Sequence, residues 1–456
     1  MALVEIQSAL TGAITKVQSD IANGPIVPHV TPPEVRNYLA SRYDFTKQMP
    51  LDEVIADVES MLRKWQVHVT HPRYFGLFNP SVTVASVIAD TIVAAYNPQL
   101  AAWSTSPAAN EIERHTLGWL AAKFGFPDDA SATFTSGGAE ANLSAVIVAL
   151  TRAFPDYGEH GLRGLSATPT FYVSGEAHHS FNKIAHMVGL GRRSVRTVRA
   201  DAHLKLDLTH LVKVVAEDRA QGFAPFLVVG TAGTTGAGVI DPLPDLARFC
   251  RQHNLWLHVD AAWGGAAILS PALKHHLAGI ESADSITCDA HKWLSVPMGA
   301  GMFFCRHPDS VAQAFHAETS YMPGKTVGPV ADPYTSTIEW SRRFIGLKLF
   351  LALAERGESG YAGMIDHQTR MGQILRESLQ HAGWRIVNKT PLPLVCFTRE
   401  GLDPGAFLTA LYKHQIAWMS QVRIGGGAPV LRACITSFQT TEADIRQVVE
   451  QMNQLL

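Results

Sequence analysis

The sequence predicts an α/β fold, a mostly parallel sheet covered by helices, with an N-terminal helical arm and a small C-terminal α+β domain. Three observations carry this. Between about residues 85 and 360, short apolar runs alternate with stretches of helical spacing. Those runs are apolar on both faces, as strands buried under helices must be. From about 361 the order becomes helix, strand, helix, strand, helix, which marks a smaller separate unit.

In order along the chain, residues 1–84 form the arm. Its start, MALVEIQSALTGAITKVQSD, reads as an amphipathic helix, and Pro25, Pro28, Pro32 and Pro33 interrupt the next stretch. Asp52 to Trp65 repeats apolar residues at helical spacing through Val54, Ile55, Val58, Met61 and Leu62. The arm has too little apolar material for its own core, so it packs on another domain or on a second subunit. In the large domain, 85–360, helices are expected over Val84–Tyr96, Ala108–Phe124 and Ala139–Ala153. Strands are expected over Phe171–Val173, Phe226–Val229, Leu255–Val259, Ser285–Cys288 and Gly301–Cys305. In the small domain, 361–456, the expected elements are Met364–Ala382, Leu392–Thr398, Pro404–His414, Val430–Thr436 and Thr441–Leu455.

Bulk properties narrow the function. At 456 residues, with 46% hydrophobic and 17% charged residues, the chain suits a compact soluble enzyme of two domains. A net charge of -2 implies no nucleic-acid partner. The five cysteines are scattered without a CxxC pair, so neither disulfides nor a zinc site is expected, and a reducing compartment fits. The N-terminus lacks a basic start followed by an apolar core, and no apolar stretch approaches the ~18 residues a membrane span needs. A cytoplasmic location is therefore expected. No HExxH occurs and the histidines are dispersed, so no metal is expected.

Chemistry-bearing residues gather at strand ends, where open α/β sheets bind ligands. Thr135-Ser136-Gly137-Gly138-Ala139-Glu140-Ala141-Asn142 ends an apolar approach and opens a helix. It is either an ordinary capped turn or a cradle for phosphate, made by backbone amides and the positive end of a helix. Glu176-Ala177-His178-His179-Ser180 comes after a strand and offers an imidazole. Val228 to Gly236 is a strand and a small-residue turn without GxGxxG spacing, in which Thr234 could donate a hydrogen bond to a close ligand. His258-Val259-Asp260-Ala261-Ala262-Trp263 places a carboxylate after a buried strand. It needs an arginine, a backbone turn or a ligand cation as partner. Ala262 is small enough for a flat ring to lie against the sheet. Asp289-Ala290-His291-Lys292-Trp293 places an amine after another strand, where desolvation is expected to lower its pKa and keep it nucleophilic. A lysine and an aspartate after two neighbouring strands are what a pyridine aldehyde cofactor requires, one to bond the aldehyde and one to hold the ring nitrogen protonated.

These segments, from His71-Pro72-Arg73-Tyr74-Phe75-Gly76 to Leu431-Arg432-Ala433-Cys434-Ile435-Thr436, resemble the group II pyridoxal-phosphate decarboxylases of fold type I. That family includes enzymes for aromatic amino acids, glutamate, cysteine sulfinate and diaminobutyrate. Ser106-Pro107-Ala108, Glu111-Ile112-Glu113 and Ser341-Arg342-Arg343-Phe344 share the likeness. The resemblance implies pyridoxal 5'-phosphate as cofactor, bonded to Lys292, paired through its ring nitrogen with Asp260 and stacked on His178. The amides of Gly138 and Ala139 would bind its phosphate, and Thr234, Ala262, Asp289 and His291 would line the site. Tyr334, in a loop from Ser320 to Thr337, matches the tyrosine that reprotonates the substrate carbon. Arg432 matches an arginine that holds the substrate carboxylate, and Asn79 and Ser81 are further candidate substrate contacts. The family forms homodimers with active sites at the interface, and the arm wraps the neighbour. Asn79 stands near a place where enzymes for aromatic substrates carry an aromatic residue, and the Tyr334 match needs a one-residue gap before Arg342.

The implied reaction is α-decarboxylation of an L-amino acid to its amine, with an aromatic substrate as the first expectation. The alternatives are an acidic substrate, an aldehyde product from oxidative deamination, or a cofactor-binding protein without activity. A phenol at position 334 favours the amine.

Overall fold

A computed structural model describes residues 3–317 and 332–456. Among the described residues the main sheet has seven strands. They are β1 (Ser131–Thr135), β2 (Pro169–Ser174), β3 (Val195–Val198), β4 (Ala224–Thr231), β5 (Trp256–Asp260), β6 (Ser285–Asp289) and β7 (Gly301–Cys305), in the order β1-β7-β6-β5-β4-β2-β3. The run β6-β5-β4-β2-β3 is parallel throughout. Strand β7 runs antiparallel to both its neighbours, β6 and β1. The sheet is thus mostly parallel, and strands β2, β5, β6 and β7 are buried along their whole length. Burial on both faces explains why these strands read as short, largely apolar runs in the sequence, interrupted in β5 and β6 by His258, Ser285 and Thr287. Strands β1 and β3 escape that reading because they are short and carry polar residues such as Ser131, Thr133, Arg196 and Thr197.

The C-terminal part holds an antiparallel sheet of β8 (Arg385–Ile386), β9 (Leu394–Thr398), β10 (Ser420–Val422) and β11 (Val430–Cys434), ordered β10-β11-β9-β8. Helices Pro404–Lys413 and Glu442–Gln454 accompany it. A long helix, Leu347–His381, joins the two parts and kinks at Gly357, where φ is 64°. The expected boundary near 360 therefore falls just past a kink inside one helix.

The arm is not independent. Its segment Arg73–Phe75 hydrogen-bonds to the small domain: Trp418 N–H donates to Arg73 O, Phe75 N–H to Trp418 O, and Cys434 N–H to Phe75 O. Phe75 is wholly buried in the small domain's core. This extra pairing carries residues 76–80 up to the edge of the main sheet.

One buried ion pair anchors the helix Pro107–Lys123 to the sheet. Glu113 and Arg342 are both almost fully enclosed. Glu113 Oε1 accepts from the Gly346 amide at 2.9 Å, and Arg342 Nη2 lies 3.4 Å from Glu113 Oε2 and donates to Thr133 Oγ1 at 3.0 Å. Glu339 Oε2 lies 3.5 Å from Arg342 Nε, so removing Glu113 leaves the guanidinium with one carboxylate in place of two and the Gly346 amide without its acceptor. Glu113→Ala should therefore cost about 1–3 kcal/mol in chemical denaturation, the scale of a buried donor left unsatisfied; a loss below ~0.5 kcal/mol would show the pair to be dispensable.

Candidate active site

The carboxyl ends of β4, β5 and β6 and the turn after β1 enclose a cavity of about 370 Å³. Each wall is set by local chain geometry. After β1, the turn Ser136–Gly137 leads into the helix Gly138–Ala153. Gly138 and Ala139 are its first residues, so their amides have no partner within the helix and face the cavity. Close packing fixes the glycines here. A Cβ on Gly138 would lie 2.8 Å from Asp289 Oδ2, and one on Gly301, the first residue of β7, would lie 2.5 Å from the backbone of Gly137.

Strand β5 delivers Asp260, only 5% exposed. Its Oδ2 accepts from Asn142 Nδ2 at 3.0 Å and its Oδ1 from the Ala262 amide at 3.2 Å. Among the described residues no lysine or arginine meets it at ion-pair distance. Strand β6 delivers Asp289, whose Oδ2 lies 3.0 Å from Lys292 Nζ and 3.7 Å from His291 Nε2. Asp289 Oδ1 is buried without a hydrogen-bond partner. After β2, His178 faces the same cavity and accepts from the Ser180 amide through Nδ1 at 3.3 Å. Burial lowers the pKa of both His178 and His291, so both are held neutral.

The lysine departs from expectation. Burial acts to lower its pKa, but the carboxylates of Asp289 and Asp260 outweigh burial and raise it. The two carboxylates thus favour the protonated amine, and Lys292 Nζ is paired with Asp289 Oδ2 at 3.0 Å.

Of the residues expected at the site, Gly138, Ala139, His178, Asp260, Ala262, Asp289, His291 and Lys292 share the cavity wall. Thr234 does not. It is fully buried in its turn, where its hydroxyl accepts from the Val239 amide at 3.0 Å, and Thr231, Gly233 and Thr235 form the wall instead. Ser81 is also turned away, bonded to Thr70 O at 3.0 Å and to Ser437 Oγ at 2.6 Å. Asn79 lies at the rim, with Nδ2 3.5 Å from Met298 Sδ, and Met298 is itself part of the wall. Arg432 is buried just outside the wall. Its Nε and Nη1 donate to Thr235 O and Gly76 O, and its Nη2 has no partner. Tyr334 is off the wall too: its amide donates to Ala101 O at 3.0 Å and its ring leans on Trp340. Residues 320–331 of the expected loop lie outside the described residues.

Phe78 and Asn142 have no assigned role in the sequence reading. The Phe78 ring stacks on Trp263 at 4.7 Å and lies 5.5 Å from Lys292 Nζ and 4.8 Å from the Arg432 guanidinium carbon. Its only sequence signal is adjacency to Asn79. Asn142 was findable as the residue one helical turn after Gly138, on the same helix face.

The arrangement fits a flat, phosphorylated pyridine aldehyde. Free amides stand on one side, an amine on another, and a buried carboxylate without a cation at the far end. Among the described residues no three His, Cys, Asp or Glu side chains gather where they could hold a metal ion.

A model of the pyridoxal-dependent decarboxylase conserved domain matches residues 34–400. The chain belongs to this family. Among relatives of this decarboxylase, the aromatic-L-amino-acid decarboxylase of Bacillus atrophaeus is 32% identical over 333 residues, spanning 72% of this chain and 68% of that one. The L-2,4-diaminobutyrate decarboxylase of Acinetobacter baumannii is 31% identical over 388 residues, spanning 81% and 75%. The crystal structure of mouse CSAD matches with a TM-score of 0.90 at 26% identity and covers 99% of each chain. The protein is thus a pyridoxal-phosphate-dependent amino acid decarboxylase.

The cradle's tight packing is testable. Gly301→Ala should push the Gly137 turn outward and weaken cofactor affinity roughly tenfold, equivalent to about 1.4 kcal/mol. Fluorescence titration of the apoprotein with pyridoxal phosphate measures this; unchanged affinity would mean that the turn does not hold the phosphate.

Proposed function

We propose that this decarboxylase converts an L-amino acid, first of all an aromatic one, to its amine, and that the residues on the cavity wall hold the cofactor. The observation that carries the assignment of roles is the placement of Asp260 and Lys292 on one cavity, at the ends of adjacent strands, with the Gly138 and Ala139 amides on a third side.

Lys292 would bond the cofactor's aldehyde, the two amides would bind its phosphate, and His178 and Ala262 would flank its ring. When bound, pyridoxal phosphate supplies an electron sink for the pair left behind as the carboxylate departs as carbon dioxide. Asp260 keeps a proton on the ring nitrogen through its fixed negative charge. Asp289 holds Lys292 and supplies the charge that governs its protonation. The unsatisfied Arg432 Nη2 is suited to a substrate carboxylate, and Phe78 and Trp263 give the wall an apolar, aromatic character. That character and the Bacillus relative support the aromatic reading; the Acinetobacter relative keeps a cationic side chain in view.

Tyr334 would deliver the proton to the substrate carbon. It is not on its own chain's cavity wall, which supports a second subunit as the one it serves. The arm supports the same assembly. Helix Leu51–Trp65 buries none of its residues and exposes Leu51, Ile55, Val58 and Leu62 as one stripe, and nearby Phe45 is 95% exposed. A stripe of that size marks an interface. Five free, buried cysteines support work in the reducing cytoplasm, and among the described residues no helix is long and apolar enough to cross a membrane.

Incubation with single L-amino acids, with carbon dioxide, amine and aldehyde all measured, tests the proposal. Equal amounts of carbon dioxide and amine from an aromatic substrate are expected; carbon dioxide from none of them would contradict it. Tyr334→Phe should keep the cofactor bound while diverting product from amine to aldehyde; unchanged amine output removes Tyr334 from the mechanism. Ile55→Glu with Leu62→Glu should convert a dimer to monomers in sedimentation; an unaltered mass would place the interface elsewhere.

A further inference from the structure

A buried polar ladder crosses the main sheet where apolar side chains would be expected. Trp256, His258 and Asp260 alternate along β5 and so share one face. Ser285, Thr287 and Asp289 do the same along β6, and the register pairs His258 with Ser285 and Asp260 with Thr287. The helix Gly138–Ala153 covers this face and inserts Asn142 between the strands.

The hydrogen bonds form a line with a fixed direction. Trp256 Nε1 donates to Ser285 Oγ at 2.9 Å. Ser285 Oγ lies 2.9 Å from His258 Nδ1, and His258 Nε2 lies 3.0 Å from Asn142 Oδ1. Asn142 Nδ2 donates to Asp260 Oδ2 at 3.0 Å, and Thr287 Oγ1 donates to Asn142 Oδ1 at 2.7 Å. An indole N–H can only donate and a carboxylate can only accept. Turning the Asn142 amide over would set its oxygen against the carboxylate, so its orientation is forced by the network. Asn142 Oδ1 then requires the proton of His258 on Nε2, and Nδ1 must accept from Ser285. Every proton on the line points toward Asp260.

We propose that Asn142 and His258 are positioning residues for Asp260, ending a one-way hydrogen-bond line from Trp256 that holds the carboxylate and aims it into the cavity. The proposal rests on Asp260 being the partner of the ring nitrogen. His258 acts as a dipole and not as a charge. It is fully enclosed, and burial lowers its pKa to about 4, so it stays neutral at working pH. Asn142, Ser285 and Thr287 are equally enclosed, and in such surroundings each bond polarises the next. Four polar side chains buried under a helix are costly unless mutually satisfied. Here they are satisfied, and the line terminates on Asp260, which among the described residues has no lysine or arginine at ion-pair distance.

The test compares Asn142→Leu, His258→Leu and His258→Gln in the cofactor-loaded enzyme. The glutamine amide can donate to Asn142 and accept from Ser285, whereas leucine can do neither. Both leucine variants should bind one cofactor per chain but shift its visible absorption band. Their kcat should fall roughly tenfold or more at nearly constant KM, the usual scale for residues that orient a reacting group. His258→Gln should restore the band and most of kcat. An unmoved band in the leucine variants, or a glutamine variant no better than leucine, overturns the proposal. If the leucine variants do not fold, Ser285→Ala is measured instead; it should move the band in the same direction, and no movement overturns the proposal equally. Asp260→Asn separates this failure from that of the site itself. If Asp260→Asn leaves band and kcat unchanged, the reading of Asp260 fails; if it changes both while Asn142→Leu changes neither, only the positioning role fails.

Discussion

A carboxylate buried at the end of β5 without a cation of its own governs this site. Removing a charge from water costs several kcal/mol unless something compensates. Asp260 receives one side-chain amide and one backbone amide, and no lysine or arginine among the described residues. Its charge is therefore left over for whatever occupies the cavity. The neighbouring carboxylate, Asp289, behaves differently because Lys292 and His291 lie beside it. Two acids on adjacent strands thus stand on one cavity wall in different settings, the second paired with the lysine and the first held by amides alone.

Sheet topology makes this possible. Strands β4, β5 and β6 are parallel, so their carboxyl ends lie on one edge and deliver Thr231, Asp260 and Asp289 side by side. The antiparallel β7 then brings Gly301 against the turn after β1, which sets the helix Gly138–Ala153 above the same edge. The small domain closes the remaining side. Arg432 holds Thr235 O, and Asn388 and Thr390 hold Ala237 O and Gly238 O, so the turn after β4 is fixed from outside the sheet. The arm contributes Phe78 because residues 73–75 are bound to β11 and Trp418.

Much of this was legible in the sequence, for reasons that differ by residue. Strands β5, β6 and β7 announced themselves because they are short runs rich in apolar and β-branched residues, as strands buried on both faces are. Asp260 and Lys292 stood out because charge directly after such strands is rare without a use. Thr234 misled because a hydroxyl in a small-residue turn looks available, and only the fold shows it serving Val239 N–H. The lysine's charge state misled because desolvation was visible in the apolar flanks, whereas the approach of two carboxylates depends on strand register. Phe78 was invisible as a site residue, since it reaches the cavity through packing against Arg432, far away in the chain, whereas Asn142 could be found only by following the helix face one turn on from Gly138. Tyr334 could be placed by resemblance, but the structure sets it off the cavity wall of its own chain, with its ring against Trp340.

One amine, at position 292, is assigned to carry the cofactor, and every other role at the site depends on it. Reduction of the holoenzyme with borohydride, followed by proteolysis and mass spectrometry of the peptides, tests this most directly. A pyridoxyl group fixed on the peptide that contains Lys292 is the expected result. A group fixed on any other lysine, or none at all, would contradict it.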